Sequence, residues 1–327
     1  MNALVRSVFA IIRKRFPALT GRRVLVIAAL ALMVGGTLWF AVGPTGEAMV
    51  RIKSPAQLHS YFTDQGYTMS ALRAGNAKVP PVFITTVPDD WAKDLDVEQK
   101  KSLFFRTLLP LVLQANQDIR ADRRRLASLR KRLSGGDSLP TADREWLFVL
   151  ATRYGVVDRE KADAEKPLST TQLATLNARV DIIPPSLALA QGAIESAYAV
   201  SRFAVEGNAL FGQWRYGKGL TPENQRADLG DYRIATFGTP LDSVRSYAQN
   251  LNSNRAYKDF RQLRAAARQA GVTPRGSSLV AGLLSYSERG QAYVDEVRGL
   301  INFNKLTATD TARLTDAPPI ELRAGLF

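Results

Sequence analysis

Glu195 is the residue whose surroundings most favour chemistry. It lies in the segment 184–214, which reads PPSLALAQGAIESAYAVSRFAVEGNALFGQW and offers no cation close to it in the sequence. The two prolines and Ser186 predict a helix start, so we expect a helix over 186–200 with Glu195 near its C-terminal end. Desolvation and the negative end of the helix dipole both raise the pKa of a carboxyl group placed there. A general acid that works near neutral pH needs such a raised pKa.

The composition excludes several other kinds of catalytic site. The chain of 327 residues has no cysteine, and its one histidine, His59, is far in sequence from the acidic candidates. A thiol nucleophile and a serine–histidine triad are therefore excluded, and no His or Cys is available to bind a metal ion beside Glu195. We expect neither a metal nor an organic cofactor.

Three motifs, in order along the chain, resemble a known family. The first is Leu189-Ala190-Gln191 followed by Glu195-Ser196. The second is GNALFG at 207–212, and the third is YSERG at 286–290. The pattern resembles the glucosaminidase-domain family, glycoside hydrolase family 73, and more closely its Bax-type branch of bacterial membrane-associated proteins. The resemblance covers roughly 169–306.

The resemblance implies a lysozyme-like catalytic domain with a small β lobe, in which Glu195 is the catalytic acid. It also implies that residues around the glutamate and in the loop after it contact the sugar. Carried over by motif, these expected substrate contacts are Gln191, Ser196, Asn208, Phe211, Trp214 and Tyr293. Tyr293 fits the family pattern less well than Tyr286, because the two tyrosines are one residue further apart here.

Glycoside hydrolysis normally uses two carboxyl groups, and the sequence leaves the second one open. Asp228 and Asp231 lie in the stretch expected to form the β lobe, and either could activate a water molecule in an inverting reaction. The alternative is substrate assistance, in which the N-acetyl oxygen of the substrate attacks its own anomeric carbon. Tyr286, which matches a family tyrosine, would then hold the acetamido group. The lack of a second motif as sharp as that around Glu195 favours assistance.

The elements expected around this site are mainly helical, so the predicted fold class is mainly α with a small β part (α+β). Helices are expected at 55–62, 96–133, 142–154, 169–180, 240–251, 257–270, 277–286 and 291–303. Pro110 should bend or interrupt the longest helix, and Thr141 should cap the next one. Extended structure is expected at 79–84 and 232–237.

Residues 24–42 form an uncharged run of 19 residues, long enough to cross a bilayer as a helix. A basic cluster precedes the run, so the positive-inside rule predicts a cytoplasmic N-terminus and a periplasmic remainder in a bacterial inner membrane. A cleaved signal peptide is the competing interpretation. It is disfavoured because the run is longer than a usual signal-peptide core and Pro44 is a poor residue to follow a cut.

The net charge of +14 is divided between the N-terminal segment and the rest of the chain. Residues 1–53 hold eight basic residues and one acidic residue, so half of the excess belongs to the membrane-proximal segment. The remaining positive charge suits binding to an anionic polymer or to an anionic membrane leaflet. No nucleic-acid-binding motif is present, so no nucleic-acid partner is expected.

The sequence therefore predicts five parts. These are a basic N-terminus (1–23), an anchor (24–42), a juxtamembrane connector and helical region (43–166), a catalytic domain (167–306) and a tail (307–327). The expected activity is hydrolysis of β-1,4 bonds after N-acetylglucosamine in peptidoglycan glycan strands. One alternative is a lytic transglycosylase or muramidase, although the Gly-Leu-Met-Gln loop usual in those enzymes is absent. Another is a catalytically inactive wall-binding scaffold.

Overall fold

The computed structural model describes residues 41–42, 48–160, 166–222, 225 and 230–324. The predicted N-terminus and anchor lie outside these ranges, except for Ala41–Val42 at the end of the anchor. These two residues form strand β1 and not the end of a helix, because they pair antiparallel with strand β2 (Ala48–Ile52). Within the described ranges, no helix has both the length and the apolar composition needed to cross a bilayer.

A four-stranded sheet joins segments that are far apart in the sequence. Its order is β1, β2, β6 (Ile320–Ala324) and β3 (Val82–Ile84), and β6 runs parallel to both of its neighbours. Leu322 on β6 lies opposite Val50 on one side and Ile84 on the other, and all three side chains are buried. The predicted tail and the predicted connector therefore contribute to the same hydrophobic core as the helices.

The helices that precede the catalytic segment include a long central one. They are α1 (Pro55–Asp64), α2 (Met69–Arg73), α3 (Val97–Ser134), α4 (Thr141–Arg153) and α5 (Thr170–Arg179). Helix α3 starts with a capping box, in which the side chains of Asp96 and Gln99 each accept a bond from the other's backbone N–H. Thr141 does not cap α4 as expected, because it is the first helical residue and Pro140 occupies the cap position.

Helix α3 continues through Pro110, so the interruption that was one of the two expected outcomes does not occur. A proline inside a helix leaves the carbonyl four residues earlier without its N–H partner, which here is the carbonyl of Arg106. The buried hydroxyl of Tyr67 donates to that carbonyl at 3.0 Å. The helix tolerates Pro110 because a tertiary hydrogen bond replaces the missing backbone bond.

Helix α6 (Pro185–Ser196) carries Glu195 and ends four residues earlier than expected. The next three residues, Ala197, Tyr198 and Ala199, all have positive φ angles, of 50°, 60° and 66°. Ser196 stabilises this turn, because its Oγ donates to the carbonyl of Gly192 and accepts from the N–H of Ala199. The turn places Glu195 at the extreme end of the helix.

Ser186 does not cap helix α6 either. Its backbone N–H and its hydroxyl both donate to the carboxylate of Asp310, at 2.9 Å each. Pro184 occupies the cap position and makes no side-chain cap bond. The start of α6 is thus fixed by a residue from the far end of the described chain.

The remaining described elements complete a mainly helical fold with small sheets, as expected, which is consistent with a lysozyme-like domain. They are α7 (Arg202–Gly207), β4 (Trp214–Tyr216), β5 (Tyr232–Ile234), α8 (Pro240–Ser253), α9 (Lys258–Gln269), α10 (Gly276–Leu279) and α11 (Gln291–Phe303). Strands β4 and β5 form an antiparallel hairpin. Short 3-10 helices lie at Arg255–Tyr257, Val280–Tyr286 and Leu306–Thr311.

Candidate active site

Glu195 is half-buried at the C-terminal end of α6, beside helix α11. The hydroxyl of Tyr293 on α11 donates to its Oε1 at 2.8 Å. Burial raises the pKa of Glu195 above its ordinary value, and the charge of Glu296 adds to this effect, while the Tyr293 bond and Arg289 oppose it. The structure thus agrees with the sequence argument that desolvation favours the protonated carboxyl.

A chain of buried side chains fixes the direction of the Tyr293 hydroxyl. Tyr247 on α8 donates to Oε1 of Gln191 at 2.7 Å, and Nε2 of Gln191 donates to the Tyr293 oxygen at 2.9 Å. Since Tyr293 already accepts from Gln191, its single proton is directed to Oε1 of Glu195. A proton bound by the Glu195 carboxyl is therefore left on Oε2.

Gly212 leaves space in front of that second oxygen. Its φ angle is +56°, and a Cβ built on it would lie 3.3 Å from Oε2 of Glu195. A larger residue would combine backbone strain with crowding at the acid. The glycine in the second motif therefore leaves room at Oε2 of Glu195.

A group of tyrosines surrounds the acid. The ring of Tyr286 is stacked on that of Tyr293, with 5.5 Å between centroids, and Tyr257 lies 5.8 Å from Tyr286. The Tyr286 hydroxyl donates to the carbonyl of Phe211 at 3.3 Å. Burial and the charge of Glu195 raise the pKa of Tyr286 well above its ordinary value, so its hydroxyl stays neutral. The structure brings Tyr286 beside the acid's partner, and its catalytic role stays a prediction.

Two residues expected to contact substrate make hydrogen bonds inside the fold instead. Gln191 and Ser196 have no exposed surface. Gln191 joins Tyr247 to Tyr293, and the Ser196 hydroxyl bonds only to backbone groups of α6 and of the turn after it. We therefore correct the expectation: both side chains make their hydrogen bonds inside the fold, and neither has surface with which to contact a sugar.

Asn208 and Phe211 are also used by the fold. Asn208 is in the left-handed region with φ of 51°, its Oδ1 accepts from the N–H of Val87, and its Nδ2 donates to the carbonyls of Phe237 and Gly238. Phe211 is buried and stacks on Tyr247 at 3.9 Å. Their expected substrate contacts are corrected in the same way, because their polar and aromatic surfaces are already engaged.

Trp214 is the expected contact that lies at the surface. Its side chain on β4 is 55% exposed, and its ring stacks on Tyr232 of β5 at 4.3 Å. Tyr216, two residues further on the same strand, is 78% exposed, and the sequence analysis did not select it. The two-residue spacing on a strand was the available signal, because it places both rings on one face. This face can offer sugars an aromatic platform.

Asp231 lies near the far end of the hairpin from Trp214. Its carboxylate accepts from Gln225 at 3.2 Å and from Arg233 at 3.3 Å. The hydrogen bond from Gln225, then the hydrogen bond and charge of Arg233, lower its pKa. Asp231 is thus ionised, as a base must be, and its role stays a prediction. Asp228 lies outside the described residues.

Metal binding has no candidate in the part of the chain that the structure describes, where no three His, Cys, Asp or Glu side chains are grouped suitably. The arrangement around Glu195 supplies a proton donor, neutral hydroxyl groups and an aromatic surface. These groups can perform acid-catalysed cleavage of a bond between sugars.

Comparison with known proteins agrees with this chemistry. Residues 171–306 match the family model described as glucosaminidase, mannosyl-glycoprotein endo-beta-N-acetylglucosaminidase. This chain carries a glucosaminidase-family domain. It is also similar to Protein bax from Escherichia coli strain K12, with 33% identity over 194 residues, which cover 59% of this chain and 66% of that protein. The matched glucosaminidase region contains Glu195 and all four tyrosines around it.

A solved structure was also found, the catalytic domain of the autolysin Auto from Listeria monocytogenes. It covers 56% of this chain and 96% of its own length, with 18% identity and a TM-score of 0.31.

Proposed function

We propose that this protein is a membrane-anchored periplasmic glycosidase that hydrolyses β-1,4 bonds after N-acetylglucosamine in peptidoglycan. The observation that carries the proposal is the Glu195 carboxyl, whose pKa is raised by burial and whose Oε1 is held by Tyr293. The proton on Oε2 is transferred to the leaving glycosidic oxygen as the bond to the anomeric carbon breaks. The glucosaminidase-family match supports this bond type.

The attack on the anomeric carbon is assigned to the substrate's own acetamido oxygen. Tyr286 supports this assignment, because its hydroxyl is kept neutral and lies among the groups around the acid. The second candidate is attack by water with Asp231 as the base. The ionised state of Asp231 favours this candidate, whereas its exposed position near the far end of the hairpin does not.

The choice of peptidoglycan as substrate is supported by two features. The similar protein from Escherichia coli is bacterial, and the 19-residue apolar run with its preceding basic cluster would place the catalytic domain outside the cytoplasm. Alkaline phosphatase fused after Lys53 should be active in cells. An inactive fusion, with a cytoplasmic reporter active at the same junction, would contradict the periplasmic location.

Analysis of the products separates the proposal from its rivals. The full chain in nonionic detergent is incubated with purified peptidoglycan, and the new ends are identified by mass spectrometry. Reducing N-acetylglucosamine ends support the proposal. Anhydro-muramic ends would instead show a lytic transglycosylase, and reducing muramic acid ends a muramidase. Binding to peptidoglycan without any new ends would leave the inactive scaffold.

A further inference from the structure

Three consecutive hydrogen bonds between Tyr247 and Glu195 all point the same way. The Tyr247 hydroxyl donates to Gln191 at 2.7 Å, and the Gln191 amide donates to Tyr293 at 2.9 Å. Tyr293 in turn donates to Glu195 at 2.8 Å. The three side chains before Glu195 are buried. Each of their protons therefore needs an acceptor within the chain of bonds itself.

The chain of bonds could also run in the opposite direction. A glutamine amide fills the same space when its oxygen and its nitrogen are exchanged. Tyr293 would then donate to Gln191, and Oε1 of Glu195 would face the Tyr293 oxygen. A proton on the acid would be drawn to Oε1, where it can bond to that oxygen, and away from Oε2. The direction of the bonds thus decides which oxygen of Glu195 carries the proton.

Tyr247 favours the observed direction. Among the described residues its hydroxyl bonds to Gln191 alone. If the Gln191 amide were reversed, its nitrogen would face the Tyr247 oxygen, and the buried Tyr247 proton would lose its acceptor. A buried donor without an acceptor carries the full desolvation penalty of that group, so the reversed direction is disfavoured.

The ring of Tyr247 also contacts the loop in front of the acid. It stacks on Phe211, with 3.9 Å between ring centroids and 11° between the ring planes. The next residue is Gly212, which leaves room at Oε2 of Glu195. The residue that sets the direction of the bonds therefore packs against the loop that leaves this oxygen open.

We propose that Gln191 and Tyr247 are positioning residues, which act through Tyr293 to keep the proton of Glu195 on Oε2. Tyr293 contacts the acid directly, whereas Gln191 and Tyr247 reach it only through hydrogen bonds. The inference rests on the proposed function, because the two residues serve proton transfer by Glu195.

The titratable groups that face Glu195 belong to several elements. Burial raises its pKa, the Tyr293 bond lowers it, and the charges of Glu296 on α11 and Arg289 before α11 then raise and lower it in turn. The last two form an exposed ion pair at 2.7 Å. Burial raises the pKa of each tyrosine near the acid, so these hydroxyl groups stay neutral where Glu195 titrates; they are Tyr247, Tyr257, Tyr286 and Tyr293.

Tyr247→Phe removes one hydroxyl and keeps the ring that stacks on Phe211. Without the Tyr247 proton the Gln191 amide can turn, and Tyr293 then donates to it for part of the time instead of to Glu195. Loss of a bond to the ionised acid raises the pKa of Glu195, so the alkaline limb of the rate profile on peptidoglycan should move to higher pH. The rate at the optimum should fall roughly threefold to tenfold, the loss expected for one neutral hydrogen bond.

Gln191→Met, with a side chain of similar length, separates positioning from packing. It removes the donor to the Tyr293 oxygen, so protonated Glu195 can donate to Tyr293 from Oε1, and the alkaline limb should again move to higher pH. In this background Tyr247→Phe should cause no further shift and no further loss of rate, because Tyr247 acts only through Gln191. The proposal is wrong if Tyr247→Phe lowers the rate equally in both backgrounds, or if it does not move the alkaline limb of the otherwise wild-type chain.

Tyr67→Phe is the matched control, because Tyr67 is also buried and its hydroxyl also makes one hydrogen bond, to the carbonyl of Arg106. It should lower the thermal unfolding midpoint of the full chain in nonionic detergent without moving the alkaline limb. The pKa of Glu195 is also measured directly, from the carboxyl carbon NMR signal that Glu195→Gln removes. If the wild type cleaves no glycan, the proposed function fails. An unchanged carboxyl titration in Tyr247→Phe instead overturns the positioning role alone.

Discussion

The two sides of the candidate active site are built in opposite ways. On one side, Glu195 ends a buried helix and is held by a continuous chain of hydrogen bonds through Tyr293 and Gln191. On the other, the β4–β5 hairpin presents Trp214 and Asp231 to solvent. In the proposed function, proton transfer uses the side with fixed geometry and substrate capture uses the exposed side. Variants on the two sides should therefore fail in different ways.

Glu195→Gln should have the largest effect. The amide cannot deliver a proton, and loss of a positioned general acid costs roughly 10² to 10⁴ in rate. Tyr293 can still donate to the amide oxygen, so the fold and the binding of glycan should persist. The measurements are turnover on peptidoglycan and the thermal unfolding midpoint. Activity close to that of the wild type would contradict the proposed role of Glu195 as the general acid.

Variants of Tyr286 and Asp231 test whether the second catalytic group lies beside Glu195 or on the hairpin. Tyr286→Phe should lower the rate strongly, and Asp231→Asn should retain most of it, if the acetamido oxygen attacks. The first-formed product should then keep the β configuration, because two displacements at one carbon restore its stereochemistry. Proton NMR of the product, recorded before mutarotation, measures this anomeric configuration. An α product together with an inactive Asp231→Asn variant would move the second group to the hairpin.

Tyr293→Phe tests the hydrogen-bond chain by its effect on pH dependence. The Tyr293 bond lowers the pKa of Glu195, so its removal raises that pKa further. Activity needs the protonated acid and is lost as the pH rises through this pKa, so the alkaline limb of the rate profile should move to higher pH. The rate at the optimum should fall by about threefold to tenfold, as expected for one lost hydrogen bond to a neutral group. A profile that only drops, without moving, would show that Tyr293 has a packing role alone.

Trp214→Ala should have the smallest effect and should act on binding. We expect KM to rise about tenfold, or about 1.4 kcal/mol, with kcat nearly unchanged. The unfolding midpoint should hardly move, because the ring is mostly exposed. Val149→Ala, at a residue that is 54% exposed on α4, is a control for removing exposed apolar surface. An equal loss of kcat in Trp214→Ala would contradict the division between the two sides.

The sequence was a good guide to the environment of Glu195 and to the helices around it. Helix α11 has the bounds expected from its periodicity, and Glu195 has the raised pKa expected from its apolar neighbours. The end of α6 was predicted too late, because alanines and a tyrosine have no local reason to adopt positive φ angles. Here the tertiary hydrogen bond from Trp91 to the carbonyl of Tyr198, together with the Ser196 bonds, overrides helix propensity.

The partners of the acid were harder to predict. In the sequence, Tyr247 looks like any other residue on the apolar face of α8. Its hydroxyl gains its partner, Gln191, only when α8 and α6 come together in the fold. Gln191 and Ser196 were recognised as parts of a motif, but their burial could not be read from that motif. The pairing of β6 with β2 joins segments near opposite ends of the chain, and no local pattern specifies it.

The central place of β6 in its sheet makes the order of synthesis matter. Strands β2 and β3 leave the ribosome early, yet each must wait for the segment 320–324 before it gains its parallel neighbour. Contacts between such distant residues form slowly, because a long loop must close first. Val50 and Ile84 therefore stay without their Leu322 neighbour until the segment 320–324 has been made. If the chain is secreted as it is made, the sheet can only be completed on the far side of the membrane.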